Sequence, residues 1–574
     1  MTSSHTQPLA SADQMRDTLR RISHLKGRQA DEASVQEVRA LIGVAPHRRD
    51  LLIEHLHKLN DAYRCLHDRH VVALAKEMTL PQAEVFEVAT FYHHFEVVRG
   101  DEAVPSLTVR VCDGLSCELA GAQPLLEKLP ILLGRSDVRV VAAPCVGRCE
   151  QAPVAVVHQH AVVHATPESV ANAVHAEHTQ AALPEALRLA EYRAQGGYDL
   201  LTALVQGDAN GGLSRITSEQ VLQAMEASGL RGLGGAGFPA GRKWRIVREQ
   251  PTPRLMAVNI DEGEPGTFKD RTYLERDPHR FLEGLLVAAH VVGIDAVYIY
   301  LRDEYHGCRE LLTQELAALR AHPPCPLPTI ELRRGAGAYI CGEESAMIES
   351  IEGKRGEPRM RPPYIAQVGL FGRPTLEHNF ETLYWVRDIV QKGADWFSGF
   401  GRHGRKGLRS FSVSGRVKQP GVKLAPAGIT IQELIDEYCG GMLDGHQLYA
   451  YLPGGASGGI LPARMNDIPL DFDTLQPYGC FIGSAAVIVL SQHDSARDAA
   501  INMMNFFAHE SCGQCTPCRV GTAKASQLMQ AKVWDNTTLE DLNQVMTDAS
   551  ICGLGQAAPN PVRCVQKYFP EEIV

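Results

Sequence analysis

The sequence predicts a multidomain α+β protein, and three observations carry that reading. Apolar residues recur with a helical period near the N-terminus, the period switches to two from Ser106, and the last part of the chain returns to helical spacing around four cysteines. A chain of 574 residues has room for roughly three to five domains. With 44% hydrophobic and 22% charged residues, most of it can bury ordinary cores. A net charge of −10 and a pI near 6.2 argue against nucleic acid and against a polybasic membrane contact. The most apolar stretch, 285–301, is interrupted by His290 and Asp295 and is too polar to span a bilayer. The opening residues carry no apolar signal-peptide core, and many unpaired cysteines suit a reducing cytoplasm.

Residues 1–34 are polar and lack an apolar period, so a flexible tail is expected. A helical bundle is expected over 35–100: Leu52, Leu56, Leu59 and Tyr63 share one helix face, and a second helix runs from Gln82 to Phe95 behind a start signal at Thr79-Leu-Pro81. Over 101–180 the reading is mixed. Leu107, Val109 and Val111 alternate into Cys112, a helix covers 119–132, a strand 138–142 and a hairpin 154–163. His158, His160, His164, His175 and His178 read as a solvated hairpin and helix face. Residues 181–215, with the Gly196-Gly197 turn, read as a linker. Residues 216–404 carry three glycine-containing loops. Residues 405–495 are β-rich around a helix at 431–438, and 496–574 are helical.

The cysteines mark the chemistry. Cys512, Cys515 and Cys518 recur at two-residue intervals, and Cys552 follows after 33 intervening residues. Three close thiolates and one remote one are the ligand pattern of a [4Fe–4S] cluster. A second set, Cys112-x4-Cys117 followed after 27 residues by Cys145-x3-Cys149, has the four thiolates of a [2Fe–2S] site, with zinc left open as the alternative. Cys65, Cys308, Cys325, Cys341, Cys439, Cys480 and Cys564 fit neither set and read as buried thiols, Cys341 with chemistry-bearing neighbours. A chain with two such clusters moves single electrons.

Gly232-Leu-Gly-Gly-Ala-Gly237-Phe-Pro matches G-x-G-x-x-G, with Asp261 further on. It follows a helical segment, 218–228, not a strand, and no βαβ unit is visible around it, which rules out the Rossmann fingerprint. Its glycines still let backbone amides approach phosphate oxygens, with Arg242, Lys243 and Arg245 nearby. Asn259-Ile-Asp-Glu-Gly-Glu-Pro-Gly-Thr-Phe-Lys-Asp270 follows an apolar strand and offers carboxylates to ribose hydroxyls or ring nitrogens. Gly335-Ala-Gly-Ala-Tyr-Ile-Cys-Gly-Glu-Glu-Ser345 opens a helix, a natural anion site that Glu343 and Glu344 would oppose unless they face sugar or base groups. Arg359-Met-Arg-Pro-Pro-Tyr364 and Asn379-Phe-Glu-Thr382 add polar and aromatic groups. Three such loops so close together suggest two nucleotides sharing one cavity.

These loops and the Ser-Cys-Gly-Gln-Cys-Thr-Pro-Cys set resemble the flavin- and NADH-binding subunit of respiratory complex I, and the Cys112 to Cys149 region resembles its smaller [2Fe–2S] partner. The resemblance covers about residues 35–570. It implies a thioredoxin-like [2Fe–2S] domain, a non-Rossmann α/β domain for FMN and NADH, a β-grasp (ubiquitin-like) segment and a helical [4Fe–4S] domain. It assigns Gly232, Gly234, Gly235 and Lys243 to the FMN phosphate, and Asn259, Asp261 and Glu262 to the isoalloxazine or ribityl groups. Tyr339, Gly342, Glu343, Asn379 and Thr382 complete the flavin site. For NAD it implies Phe238 and Tyr364 as stacking partners, with Glu264, Glu344 and Arg361 at ribose and phosphate. Leu233, Arg361, Tyr364 and His378 depart from the complex I pattern. The wording from Gly335 to Arg361, then Gln367 to Thr375 and Glu381 to Trp385, is most similar to the fused diaphorase (β) subunit of soluble NAD-dependent formate dehydrogenases. That implies a separate molybdo- or tungstopterin α subunit carrying further iron–sulfur clusters, and a possible small accessory subunit. NAD-reducing hydrogenases and complex I are the alternatives. No side-chain general base is expected, because hydride passes directly to the flavin.

Overall fold

The computed structural model describes residues 27–44, 46–100, 102–209 and 216–574. Most of the expected tail lies outside them. Its last residues are not tail but the first turn of a helix, Glu32–Ile42, started by Asp31, whose carboxylate accepts the Ser34 amide at 2.8 Å. This helix, Leu52–Tyr63, Asp68–Met78 and most of Gln82–Phe91 form one compact unit, residues 27–90 with 95–102. Leu52, Leu56 and Leu59 are fully buried, and Tyr63 packs on the His70 ring. Thr79 closes the preceding helix instead of starting the next one: it takes the left-handed conformation, φ 57°, and its amide bonds back to Lys76.

Residues 91–94 and 103–574 make up the second unit. Its first sheet contains β1 (Leu107–Cys112), β2 (Val138–Ala143), β3 (Ala155–Val157) and β4 (His160–Val162) in the order β2-β1-β3-β4. β1 and β2 are parallel, joined through the Ala122–Leu133 helix, and β3 and β4 complete the sheet as an antiparallel hairpin. This is the thioredoxin-like arrangement. Cys112 ends β1 and Cys145 follows β2, so parallel pairing delivers both cysteine loops to the same edge.

Residues 187–209 are not a free linker. The hydroxyl of Tyr192 donates to Glu283 at 2.6 Å, that of Tyr198 meets His279 Nδ1 at 2.8 Å, and Arg188 pairs with Glu315 at 2.6 Å. Both tyrosines are buried, because a strap with aromatic residues on one face gains more by covering the Pro278–Val292 helix than by staying solvated. Tyr192→Phe removes a donor from the buried Glu283 carboxylate and is expected to cost about 1–3 kcal/mol, read as a lower denaturation midpoint.

The central sheet is wholly parallel: β5 (Arg254–Ile260), β6 (Ile294–Leu301), β7 (Thr329–Arg334) and β8 (Thr375–Asn379), in the order β8-β5-β6-β7. The chain steps from β5 to β6 to β7 and then returns to the far side of β5. Strand order therefore reverses between β5 and β8, and in open α/β sheets the crevice at the carboxyl ends of such a pair is where ligands bind. The sheet does contain the βαβ crossovers that the sequence reading did not find. The glycine loop nevertheless lies before β5, between the helices Ser218–Ser228 and Ala240–Arg248, so it is not a Rossmann βα turn.

The third sheet, β9 (Leu408–Gly415), β10 (Gly421–Pro426), β11 (Leu448–Leu452), β12 (Leu461–Pro462) and β13 (Ala486–Ser491), is ordered β10-β9-β13-β11-β12. Its first and last strands lie side by side and parallel, with the 431–438 helix between them in sequence, the β-grasp pattern. Five helices, Ala496–Glu510, Thr516–Met529, Asn536–Ala549, Gly553–Ala557 and Pro559–Tyr568, complete the chain. Among the described residues no helix is long and apolar enough to cross a membrane.

Candidate functional site

Cys512, Cys515, Cys518 and Cys552 line one small, partly open cavity with Ile340 and Pro358. Cys515 and Cys552 each sit at the N-cap of a helix, Thr516–Met529 and Gly553–Ala557. Helix N-termini present free amides and a positive dipole end, which favour thiolates; the Leu554 and Gly555 amides bond the Cys552 sulfur. Burial raises the Cys518 thiol to about 11 and the Cys552 thiol to about 12, so metal-free they hold their protons at neutral pH, and iron binding releases them. The wall at Gly555 admits no side chain, since a Cβ there would lie 2.8 Å from the Cys518 Cβ. Four convergent sulfurs and an atom-free space between them fit a cubane cluster.

The second set also converges. Cys112, Cys117, Cys145 and Cys149 are buried; Cys112 contacts Cys117 and Cys145, and the Cys145 and Cys149 sulfurs are 3.3 Å apart. Hydrogen bonds from Cys112 and Cys149 and the charge of Arg302 hold the Cys145 thiol well below the usual cysteine range. Four soft donors from two loops at one sheet edge fit a [2Fe–2S] cluster.

Between these centres lies the crevice at the end of β5 and β8. Asn379 ends β8 and pairs in register with Asn259, the last residue but one of β5. Asn259 Nδ2 donates to the Gly342 carbonyl at 2.8 Å, while Asn379 Nδ2 donates to Asp270 at 2.7 Å and its Oδ1 accepts the Glu381 amide at 3.0 Å. The glycine loop closes through Gly232 N to Phe238 O at 2.8 Å and is fastened to the crevice by Leu233 N to Thr382 Oγ1 at 2.9 Å. A Cβ on Gly234 would stand 3.0 Å from Asn379 Cβ, and one on Gly342 3.1 Å from the Asp261 carbonyl. Gly235 takes φ 128°, a conformation open to glycine, where the loop meets Gly483 of the β-grasp segment.

Asp261 is the telling residue. One carboxylate oxygen is buried without a hydrogen-bond partner, and burial pushes its pKa well above the usual carboxylate range. Buried polar atoms are normally satisfied, so an acceptor left open beside Gly342 fits a polar ligand such as FMN.

Other residues from the sequence reading are placed differently. Both Glu262 oxygens are occupied by the Asp270 and Arg271 amides at 2.8 and 3.1 Å and by the Tyr305 hydroxyl at 2.8 Å, so this carboxylate caps the Lys269–Arg276 helix. Glu343 likewise caps its own helix, accepting the Ser345 and Ala346 amides at 2.9 Å each, which closes the anion site expected there. Glu264 accepts the Ser457 amide at 2.8 Å and hydroxyl at 2.6 Å and also the Tyr339 hydroxyl. Lys243 pairs with Glu377 at 3.0 Å, and Arg361 bridges Glu343 and Glu344. Phe238 and Tyr364 stand 39% and 57% exposed, available as stacking surfaces. His378 points to the face opposite Asn379, accepts from Trp244 Nε1 at 2.6 Å and stays neutral through burial, so its departure from the complex I pattern does not touch the crevice.

Sequence reasoning missed the support under Asn379. Lys269 is 1% exposed and pairs with Asp270 at 2.7 Å and Glu381 at 3.2 Å. Its signal was a lone lysine inside an acidic motif, with Glu381 inside the Asn379 to Thr382 motif. Lys269→Met leaves two buried carboxylates without their cation and is expected to cost about 3–5 kcal/mol, checked by thermal unfolding.

A crevice fitted to a flavin, flanked by two cysteine-lined cluster sites, defines an iron–sulfur flavoprotein oxidoreductase subunit. Comparison with known proteins gives the family. Residues 225–388 match the Nuo51 FMN-binding domain, 498–574 the NADH-ubiquinone oxidoreductase-F iron-sulfur binding region, 38–177 the thioredoxin-like [2Fe-2S] ferredoxin and 410–461 the SLBB domain. The chain is 40% identical over 372 residues to the mitochondrial NADH dehydrogenase [ubiquinone] flavoprotein 1 of Dictyostelium discoideum, covering 62% of this chain and 78% of the relative. It is 38% identical over 400 residues to the mitochondrial NADH-ubiquinone oxidoreductase 51 kDa subunit of Aspergillus niger, covering 66% and 81%. A chain in the crystal structure of an NAD+-reducing [NiFe]-hydrogenase in the H2-reduced state superposes with a TM-score of 0.80 at 31% identity, over 92% of this chain and 93% of that one. The protein belongs to the family of complex I flavin subunits, with the [2Fe–2S] module fused to its N-terminal side.

Proposed function

We propose that this chain is the diaphorase subunit of a soluble, cytoplasmic NAD-dependent formate dehydrogenase, exchanging hydride with NAD(H) at FMN and single electrons with its clusters. The observation that carries the electron-transfer reading is one shared loop: Tyr339 and Gly342 border the flavin crevice, while Ile340 between them lines the four-cysteine cavity. When bound, FMN supplies the conversion between two-electron hydride chemistry and one-electron transfer. The chain's residues bind and orient it. Gly232, Gly234, Gly235 and Lys243 hold the phosphate, with Lys243 turning from Glu377 toward it. Asn259 and Asp261 take the ring or ribityl groups, and Asn379, Thr382, Tyr339 and Gly342 shape the floor. Glu262 acts from beneath, by fixing the loop. Phe238 and Tyr364 stack on the adenine of NAD, with Glu264, Glu344 and Arg361 near its ribose and phosphates. Cys112, Cys117, Cys145 and Cys149 hold the [2Fe–2S] cluster, and Cys512, Cys515, Cys518 and Cys552 the [4Fe–4S] cluster.

Formate oxidation belongs to a separate pterin-bearing α subunit, and the resemblance at Gly335 to Arg361 and Gln367 to Thr375 supports that partner. The near full-length likeness to the hydrogenase chain favours hydrogen as a second donor. Anaerobic titration of the native complex decides: formate bleaches the flavin and iron–sulfur bands and NADH appears when NAD is added. Bleaching by NADH and hydrogen but not by formate would replace the formate reading with the hydrogenase one.

A further inference from the structure

Arg302 follows β6 and is buried, 4% exposed. Its Nη1 donates to the Glu262 carbonyl at 2.6 Å, in the loop that carries Asp261, and its Nη2 donates to the carbonyl of the cluster cysteine Cys145 at 2.8 Å. Glu304 accepts from Nε at 3.1 Å and from Nη2 at 2.8 Å. One guanidinium thus spans the flavin loop and a [2Fe–2S] ligand. The loop around Cys145 has further fastenings to the same region. The Gly147 carbonyl accepts Arg271 Nε at 2.9 Å, Arg148 pairs with Glu275 at 3.2 Å, and Cys145, Cys149 and Phe268 pack together. A Cβ on Gly147 would lie 2.3 Å from the Tyr305 hydroxyl.

We propose that Arg302 and Glu304 form a charge pair that positions the [2Fe–2S] ligand loop against the flavin loop and sets the cluster's reduction potential. The inference rests on Cys112, Cys117, Cys145 and Cys149 as the cluster ligands. Taking up one electron makes the cluster one unit more negative without moving atoms. A buried cation bonded to a ligand's carbonyl favours that reduced state, and a carboxylate beside it opposes it, both acting strongly where the dielectric is low. The two charges therefore pull the potential in opposite directions.

The test is a dithionite titration of the full chain followed by the EPR signal of the reduced [2Fe–2S] cluster, with iron and flavin contents measured in parallel. Arg302→Met shifts the midpoint negative, Glu304→Gln shifts it positive, and Arg302→Lys, which keeps the charge, stays nearest to the parent. If Arg302→Met fails to hold its cluster, a positive shift in Glu304→Gln beside a near-parental midpoint in Arg302→Lys carries the test. Midpoints unmoved in variants with intact clusters, or shifts of one sign in all of them, overturn the inference alone. Absence of a [2Fe–2S] signal from the parent chain overturns the ligand assignment and the inference together.

Discussion

Cys552→Ala is expected to lose the [4Fe–4S] cluster and with it electron delivery beyond the flavin. Cys552 is the ligand contributed from outside the Cys512 to Cys518 loop, and the amides of Leu554 and Gly555 hold its sulfur at a helix start. Among the described residues no cysteine outside the set lines that cavity, so a substitute ligand is not at hand. Delivery to a partner or to a cluster-dependent acceptor should fall at least about 100-fold, equivalent to roughly 2.7 kcal/mol on the barrier. FMN content and NADH oxidation by an acceptor that meets the flavin directly should persist. Iron analysis and EPR beside the two assays separate these effects. Parental cluster content in the variant would remove Cys552 from the ligand set.

Gly234→Val is expected to weaken FMN binding more than tenfold, or over about 1.4 kcal/mol. Its added Cβ would meet Asn379 Cβ at 3.0 Å, at the point where the glycine loop meets the end of β8. Asn379 cannot yield easily, because both ends of its side chain are engaged by Asp270 and Glu381. The loop must therefore lift from the crevice. Gly232→Ala is the informative comparison: its Cβ would find only the Phe238 backbone, no nearer than 3.6 Å, so flavin loss there would report a clash with the ligand and not with the protein. Flavin released per mole of chain, with the melting temperature as a control for folding, distinguishes the cases.

The cluster residues were legible because ligand spacing is local: Cys512, Cys515 and Cys518 announce themselves within one turn of chain. The glycine loops were legible for the same reason. What stayed hidden depends on parallel pairing between distant segments. Asn259 and Asn379 become neighbours only when β8 adds beside β5, and Arg302 reaches Cys145 across 157 positions of sequence. The capping bonds of Glu262 and Glu343 were not visible, because a carboxylate in a glycine-rich motif looks the same whether it faces a ligand or caps a helix. The strap at 187–209 passed for a linker because its glycine turn was visible and the partners of Tyr192 and Tyr198 were not. Thr79 read as a helix start because starts and stops stand so close before Pro81.

The fastened Cys145 loop and the 187–209 strap lie on one polypeptide with the flavin crevice. Association of the two redox modules is therefore intramolecular, at an effective concentration set by the tether and not by expression level. Dilution leaves the pair together, and each flavin site is made with one [2Fe–2S] site in fixed stoichiometry. A flavin that has just been reduced always has a one-electron acceptor site within its own chain, whatever the abundance of the remaining subunits.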